Sequence, residues 1–336
     1  MKILLVGLGS IGERHLRNIL YLGYSDIAVV SRSGILPQEF AALKVYATLD
    51  AALQASSFAA SILCTPTALH TADLLKLLKA NIPNIYVEKP VSHSLDNLDE
   101  LAALANSYPN NIVVGFDLHF DLGLQKVKDL LDNDEIGKIV SVNAQVGQYL
   151  PDWRPQQDYR HGMSAKVETG GGVMLDLIHE FDYLLWLVGS VKTIACLYKN
   201  SGALDIQTED VAEVLISFEN GAIGTIHLDY LQQKLVRNCL ITGYNGSITW
   251  NLATNEVNWI NKEKVENNFD YKGYERNDRF ISVMQAFLEG GSDERLTSLD
   301  QGIASLQLVL AAKHSSDNKV FVQLNEHNPI TKSYKK

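Results

Sequence analysis

The stretch Lys2-Ile3-Leu4-Leu5-Val6-Gly7-Leu8-Gly9-Ser10-Ile11-Gly12 decides the fold. A short apolar run ending in glycine reads as a buried strand. Residues 11 to 22 place apolar side chains at three- and four-residue spacing, which reads as a helix. The three glycines between them match a dinucleotide-binding turn. Gly7 permits the tight turn, Gly9 lets a pyrophosphate approach the backbone, and Gly12 lets the helix pack closely on the strand. The amides that open the helix, at Ser10 and Ile11, then face the anion. Alone the motif is weak, because an ordinary tight turn accounts for it; its surroundings give it weight.

Outward from this stretch, short apolar runs at Lys2–Val6, Asp26–Ser31, Phe58–Cys64, Ile85–Val87 and Asn111–Gly115 alternate with helical patterns at Ile11–Leu22, Leu49–Ala55, Ala68–Lys79 and Ser94–Ala105. Alternation of this kind predicts an α/β unit, a doubly wound parallel sheet over residues 1–118. Beyond Leu118 the texture changes. A helix at Leu122–Leu131 precedes a strand-like run at Lys138–Tyr149. Strand pairs follow at Val211–Phe218 with Ala222–Leu231 and at Leu235–Gly243 with Ser247–Leu252, each turning at Asn-Gly, which favours tight hairpins. Helices at Arg276–Leu288 and Leu299–His314 close this half. Residues 119–336 are therefore read as a second, α+β domain with a large, mostly antiparallel open sheet. Tyr149–Thr169 is a long polar loop between the two textures, and long loops are commonly functional. The tail from Asn328 reads as a frayed end.

At 336 residues the chain exceeds the size at which one core keeps growing. A net charge of −10 with no cationic run argues against nucleic acid or an anionic membrane as partner. Cys64, Cys196 and Cys239 are too far apart for a zinc motif or a disulfide framework and fit a reducing cytoplasm. No metal is expected. The opening apolar run is too short for a signal peptide and ends in Gly-x-Gly. No window reaches the length of a membrane span.

The second strand ends in Ser31-Arg32, without the carboxylate that would bind an adenosine ribose. An arginine there can accept the 2′-phosphate of NADP, so NADP is expected ahead of NAD; a solvated loop residue is the other reading. Cys64-Thr65-Pro66-Thr67, with His70 following, sets a rigid turn after the third expected strand. Cys64, Thr65, Pro66 and His70 are candidates to line a cofactor, although a helix cap at Thr67 explains much of the same pattern. Glu88-Lys89-Pro90 follows the strand at Ile85–Val87. Ligands of open α/β sheets bind beyond the carboxyl ends of the strands, which puts Lys89 at the crevice.

Gly170-Gly171-Gly172 opens a further helical pattern with an apolar face and a polar stripe of Asp176, His179, Glu180 and Tyr183. Asp176 and His179 are three apart and so neighbours on one helix. A carboxylate that orients an imidazole suits proton transfer, and histidine titrates near neutrality. A solvated face is the usual meaning of such a stripe, but this segment continues as Leu184-Leu185-Trp186-Leu187-Val188 and reads as buried.

The glycine turn, Cys-Thr-Pro-Thr-x-x-His, Glu-Lys-Pro and the Gly-Gly-Gly helix with Asp and His together resemble the glucose-fructose oxidoreductase, inositol dehydrogenase and MocA family over nearly the whole chain. The resemblance implies an NAD(P)-dependent dehydrogenase or reductase acting on CH-OH groups of a sugar, polyol or nucleotide sugar. Lys89 would border nicotinamide and substrate, with Glu88 beside it and a frequently cis bond to Pro90. His179 and Asp176 would complete the catalytic set. Trp153 and Arg154, in Asp152-Trp153-Arg154-Pro155, resemble a segment that reaches the nicotinamide end. Asp158, Tyr159 and Arg160 would then face substrate. Two departures stand out. Relatives carry the aspartate and histidine four apart, which leaves Glu180 and Asp182 as substitutes for His179. They also tend to place arginine where this chain has His119, so His119 is a candidate substrate contact. The loop pattern is most similar to a branch of nucleotide-sugar or nonulosonic acid biosynthesis enzymes. A homodimer or homotetramer is implied. The competing readings are an NAD-dependent glycosidase of the same fold and a non-catalytic nucleotide-sensing regulator.

Overall fold

The computed structural model describes residues 1–107 and 111–324. The chain forms two compact units: Met1–Asp117 with Glu275–Gly302, and Leu118–Tyr274 with the described residues from Ile303 onward. The tail from Asn328 lies outside the described residues.

The first unit is built on a seven-stranded sheet. Its strands are β1 (Ile3–Val6), β2 (Ile27–Val30), β3 (Lys44–Tyr46), β4 (Ala60–Leu63), β5 (Asn84–Val87), β6 (Asn111–Val114) and, from far along the chain, β15 (Thr297–Ser298). The order is β15-β6-β5-β4-β1-β2-β3, and every pair is parallel except β15 with β6. Helices α1 (Ser10–Tyr21), α2 (Leu49–Ala55), α3 (His70–Lys79) and α4 (Leu98–Ser107) make the connections. β1 and β2 are four-residue apolar runs, β4 is apolar but for Ser61, and all three are buried at every position, as strands covered on both faces must be. In register, Val6 lies beside Val30 and Leu63, Leu63 beside Val87, and Val87 beside Val114. Gly7, Ser31, Cys64, Glu88 and Gly115 therefore leave the sheet at one level. The strand order reverses between β1 and β4, the switch point at which such sheets bind ligands.

Helix α8 (Arg276–Leu288) and β15 also belong to this unit, whereas the sequence reading assigned everything after residue 118 to the second domain. α8 packs on α1, Asn18 and Asn277 exchange amide hydrogen bonds, and Arg279 pairs with Asp117. An amphipathic pattern reveals that a helix has an apolar face but not which sheet receives it.

The second unit has a nine-stranded sheet: β7 (Ile139–Gly147), β8 (Val191–Lys199), β9 (Val211–Phe218), β10 (Ile223–Asp229), β11 (Val236–Gly243), β12 (Gly246–Asn251), β13 (Glu256–Asn261), β14 (Glu266–Asp270) and β16 (Val322–Gln323). The order is β14-β13-β12-β11-β7-β10-β9-β8-β16, antiparallel throughout apart from β10 with β7. Helices α5 (Leu122–Asp132) and α7 (His179–Val188) pack on this sheet, following the four-residue α6 (Val173–Asp176). Most of α9 (Leu299–Asn318) also lies in this unit. The alternate residues Leu197, Leu215 and Ile223 of β8, β9 and β10 are exposed.

On β10, His227 bridges Glu213 at 2.6 Å and Asp229 at 2.8 Å. The hydrogen bond to Asp229, reinforced by Glu213 and opposed by partial burial, raises the His227 pKa from 6.5 to about 9. A raised folded-state pKa means that this stabilisation is complete below pH 6.5 and is lost as pH rises through about 9. The thermal midpoint is expected to fall across that window, and His227→Gln to flatten the fall, as scanning calorimetry at a series of pH values would show.

Four local expectations change. α4 starts at Leu98 rather than Ser94, because Ser94 and Asp96 form a side-chain turn and Asn97 has a positive φ of 60°. The Gly-Gly-Gly segment forms two helices, interrupted at Leu177 with φ −101° and ψ 34°. Asp176 ends one helix and His179 starts the next, so their i, i+3 relation on a single helix does not hold. Gly246 is already part of β12, so the second hairpin turns at Tyr244-Asn245. β3, β8, β13, β14, β15 and β16 went unread: some are only two or three residues long, and β14 is largely polar.

Candidate active site

The residues singled out from the sequence fall into two groups, one in each unit. In the first, Gly7 has φ +95°, and a Cβ there would lie 2.7 Å from the Cys64 carbonyl oxygen. A Cβ on Gly12 would lie 2.1 Å from the Gly7 carbonyl oxygen. These glycines let the turn after β1, the turn after β4 and helix α1 close on one another. Gly9 differs: a Cβ there meets nothing within 4 Å. Gly9, Ser10 and Ile11 open α1 with no side-chain cap, leaving the first amides to an outside acceptor. Two glycines required by close packing and a third facing open space suit a pyrophosphate against the backbone, so the chain's own residues fit a dinucleotide.

Ser31 bonds Ser33 at 3.1 Å, and Arg32 is exposed beside it. Thr65 is half-buried and donates to Asp73 at 3.1 Å; Pro66 is half-buried next to it. Cys64 is buried, and burial pushes its thiol pKa well up, so it packs rather than reacts. His70 is buried, with one ring nitrogen 2.8 Å from the Pro90 carbonyl oxygen and the other 2.8 Å from that of Thr65. Both ring nitrogens thus face backbone carbonyls of the two turns that flank the expected cofactor crevice. The Glu88 side chain is withdrawn. Its carboxylate lies 2.6 Å from Nε2 of the fully buried His15 and beneath Gly115, where a Cβ would meet the Tyr86 hydroxyl at 2.6 Å. Burial first, then the charges of Glu88 and Asp117, push the Tyr86 phenol pKa well up. Lys89 follows, half-buried, in a cis peptide bond to Pro90.

In the second unit, Asp176 is buried and accepts a hydrogen bond of 2.6 Å from the Tyr230 hydroxyl. Burial, and then Asp176, hold the Tyr230 phenol protonated to well above its ordinary pKa, which keeps it a donor. The Tyr230 ring meets Trp153 edge-on at 5.3 Å, and Trp153 donates to the Gln148 carbonyl. The structure thus joins the Trp153 segment to Asp176 through Tyr230. Arg154 is exposed. Asp158 and Arg160 bind each other through several hydrogen bonds, and Arg160 draws the Asp158 pKa down to about 2. The Tyr159 hydroxyl accepts from the Asp205 amide at 3.3 Å.

His179 is buried at the start of α7. Glu180 and Tyr183 of the expected stripe, and the nearby Asp182, point to separate partners. Glu180 takes two hydrogen bonds from Arg237, at 2.9 and 3.1 Å. Asp182 pairs with His119 at 2.8 Å and accepts from Ser305. Tyr183 lies edge-on to Trp250. Glu180 and Asp182 are thus each held by a partner within the second unit. His119 is 2% exposed and stacks on Trp186 at 4.4 Å. Removing one member of a buried pair strands the other charge, at a cost of about 3–5 kcal/mol. Glu180→Gln is expected to destabilise the second unit by about that much, measured by urea unfolding. Replacing Glu180 and Arg237 together by apolar residues should cost less.

His15, Tyr230 and the Asp117–Arg279 pair were missed. His15 had a signal, because Gly12, His15, Leu16 and Ile19 share the buried face of α1. Tyr230 had none, since it continues the Ile226, Leu228 alternation as an ordinary core residue. Among the described residues no group of three or more His, Cys, Asp or Glu side chains could hold a metal. No described helix is long and apolar enough to cross a membrane.

Residues 1–116 match the model of an oxidoreductase family with an NAD-binding Rossmann fold, and residues 124–249 match a GFO/IDH/MocA C-terminal domain. The oxidoreductase YrbE of Bacillus subtilis is 31% identical over 239 residues, 66% of this chain and 65% of its own length. The myo-inositol 2-dehydrogenase of Thermotoga maritima is 23% identical over 97% of this chain and 99% of its own. Among solved structures, the WlbA dehydrogenase of Bordetella pertussis, determined with NADH and UDP-GlcNAcA, superposes with a TM-score of 0.79 at 21% identity, covering 97% of this chain and 98% of that one. An oxidoreductase domain protein of Kribbella flavida gives 0.85 at 16% identity, covering 97% and 99%.

Proposed function

The chain belongs to the GFO/IDH/MocA oxidoreductase family, and on that premise we propose that it is an NAD(P)-dependent dehydrogenase acting on a carbinol carbon of a sugar, polyol or nucleotide sugar. The observation that carries this reading is the level edge of the first sheet, where the Gly7 to Gly12 turn, the turn after β4 and Glu88-Lys89 leave neighbouring strands in register. A bound nicotinamide supplies the two-electron acceptor or donor. The protein's part is binding, orientation and proton handling. Lys89 binds the substrate hydroxyl and stabilises charge developing on its oxygen. His179 exchanges the hydroxyl proton, and Asp176, held by Tyr230, orients the substrate or the base. Trp153 and Arg154 contribute at the nicotinamide end, and Tyr159 with the Asp158–Arg160 pair forms the outer substrate surface. A panel of nucleotide sugars, free sugars and inositols offered with NAD and NADP, followed by nicotinamide absorbance, tests this reading; absence of turnover on every class would count against it.

NADP is proposed as the preferred cofactor on the strength of exposed Arg32 and the lack of a carboxylate after β2. Arg32→Ala is expected to raise KM for NADPH about tenfold, as loss of a charge-assisted contact would, with KM for NADH nearly unchanged. Association as a homodimer or homotetramer is favoured by Leu197, Leu215 and Ile223, exposed on alternate positions of the second sheet. The cytoplasm is the proposed location, in keeping with three free cysteines.

A further inference from the structure

We propose that His70 is a positioning residue that ties the turn after β4 to the turn carrying Lys89. Its functional consequence rests on the role proposed for Lys89. His70 is the first residue of α3 and 1% exposed. Nδ1 lies 2.8 Å from the carbonyl oxygen of Pro90, immediately after Lys89, and Nε2 lies 2.8 Å from that of Thr65, immediately after Cys64. One ring thus spans two backbone segments 25 residues apart in sequence, roughly counting from Thr65 to Pro90, and both leave the sheet at the level edge.

Packing alone does not call for this arrangement, since an apolar side chain would fill the space without two aligned acceptors. Carbonyl oxygens only accept, and a neutral imidazole carries a single N–H, so both contacts are hydrogen bonds only when both nitrogens are protonated. Burial outweighs the two carbonyls and the nearby carboxylates of Glu88 and Asp73 and lowers the His70 pKa, so the neutral ring donates its one N–H to either carbonyl according to tautomer, with both acceptors held at 2.8 Å. The same helical turn adds parallel ties. Thr71 donates to Ser92 at 3.0 Å, on the Lys89 side, and Asp73 accepts from Thr65 at 3.1 Å, on the other. The first turn of α3 therefore fastens both segments, and the His70 ring reaches both.

Two near-isosteric replacements separate the two ends. The amide nitrogen of His70→Asn sits near the place of Nδ1 and keeps the Pro90 carbonyl; that of His70→Gln reaches toward the place of Nε2 and keeps the Thr65 carbonyl. His70→Gln is expected to speed hydrogen exchange of residues 88–94 about fivefold to tenfold, the change expected from loss of one buried hydrogen bond, with the Kd for NADH within about twofold of wild type. His70→Asn is expected to raise the Kd for NADH by a similar factor and to leave exchange at 88–94 unchanged. The proposal is overturned if only one variant departs from wild type, if neither does, if both readouts move together in both, or if exchange rises uniformly across the first unit, as for a residue that merely packs. Neither readout needs turnover, so normal activity of Lys89→Met would remove the catalytic reading while leaving this tie to be judged separately.

Discussion

Lys89→Met is expected to lower kcat by about 10³ while leaving the Kd for NADH and NADPH within about twofold, the size of effect associated with losing a positioned donor or proton-transfer group. The chain around Lys89 is fixed on both sides. Glu88 is anchored to His15 at 2.6 Å, and the Pro90 carbonyl is engaged by His70 at 2.8 Å. Neither anchor uses the lysine side chain. Methionine keeps much of its length and apolar stem but removes the ammonium group, so the variant isolates the charge. A loss confined to KM for the substrate would indicate uniform binding rather than stabilisation of the transition state. Separate titration of cofactor and substrate, with single-turnover kinetics, distinguishes the two.

Gly9→Val is expected to weaken NADH and NADPH binding by about a hundredfold or more without loss of fold, because the added methyl groups would occupy the space where the pyrophosphate meets the backbone. Gly9 has φ −87° and ψ −173°, extended geometry that valine adopts readily, and its Cβ would meet no protein atom within 4 Å. The side chain therefore costs the apoprotein little and excludes only the ligand. Gly12 offers no such clean test, since a Cβ there would lie 2.1 Å from the Gly7 carbonyl oxygen and damage the fold itself. Fluorescence titration of cofactor, with circular dichroism to verify the fold, measures both halves of the expectation. Binding at wild-type strength in a folded variant would place the anion elsewhere.

The first sheet was legible because its strands are continuous apolar runs separated by amphipathic helices, and local pattern is enough to identify such elements. The antiparallel core of the second sheet was legible for a similar reason: buried residues alternate along β9, β10 and β11. Partner choice was not legible. Asp176, His179, Glu180 and Tyr183 looked like one stripe on one helix, yet the break at Leu177 separates Asp176 from the rest, and their partners are distant in sequence: Tyr230 just after β10, Arg237 on β11 and Trp250 on β12. His119 and His70 carried residue types associated with catalysis, and the interior acceptors that each faces, Asp182 and the Thr65 carbonyl, were not legible from their spacing. A one-residue change in spacing between Asp176 and His179 matters less than it first appears, because the intervening chain is not a regular helix.

In the proposed reaction hydride moves between the substrate's carbinol carbon and nicotinamide, with Lys89 and His179 handling the oxygen and its proton. Its most direct test uses the best substrate from the panel, deuterated at the carbinol carbon, with magnetic resonance of the recovered cofactor and sugar. Deuterium is expected in the reduced nicotinamide, with a ketone at the oxidised position. Deuterium retained in the sugar, or a hydrolysed sugar with no accumulation of reduced cofactor, would contradict it.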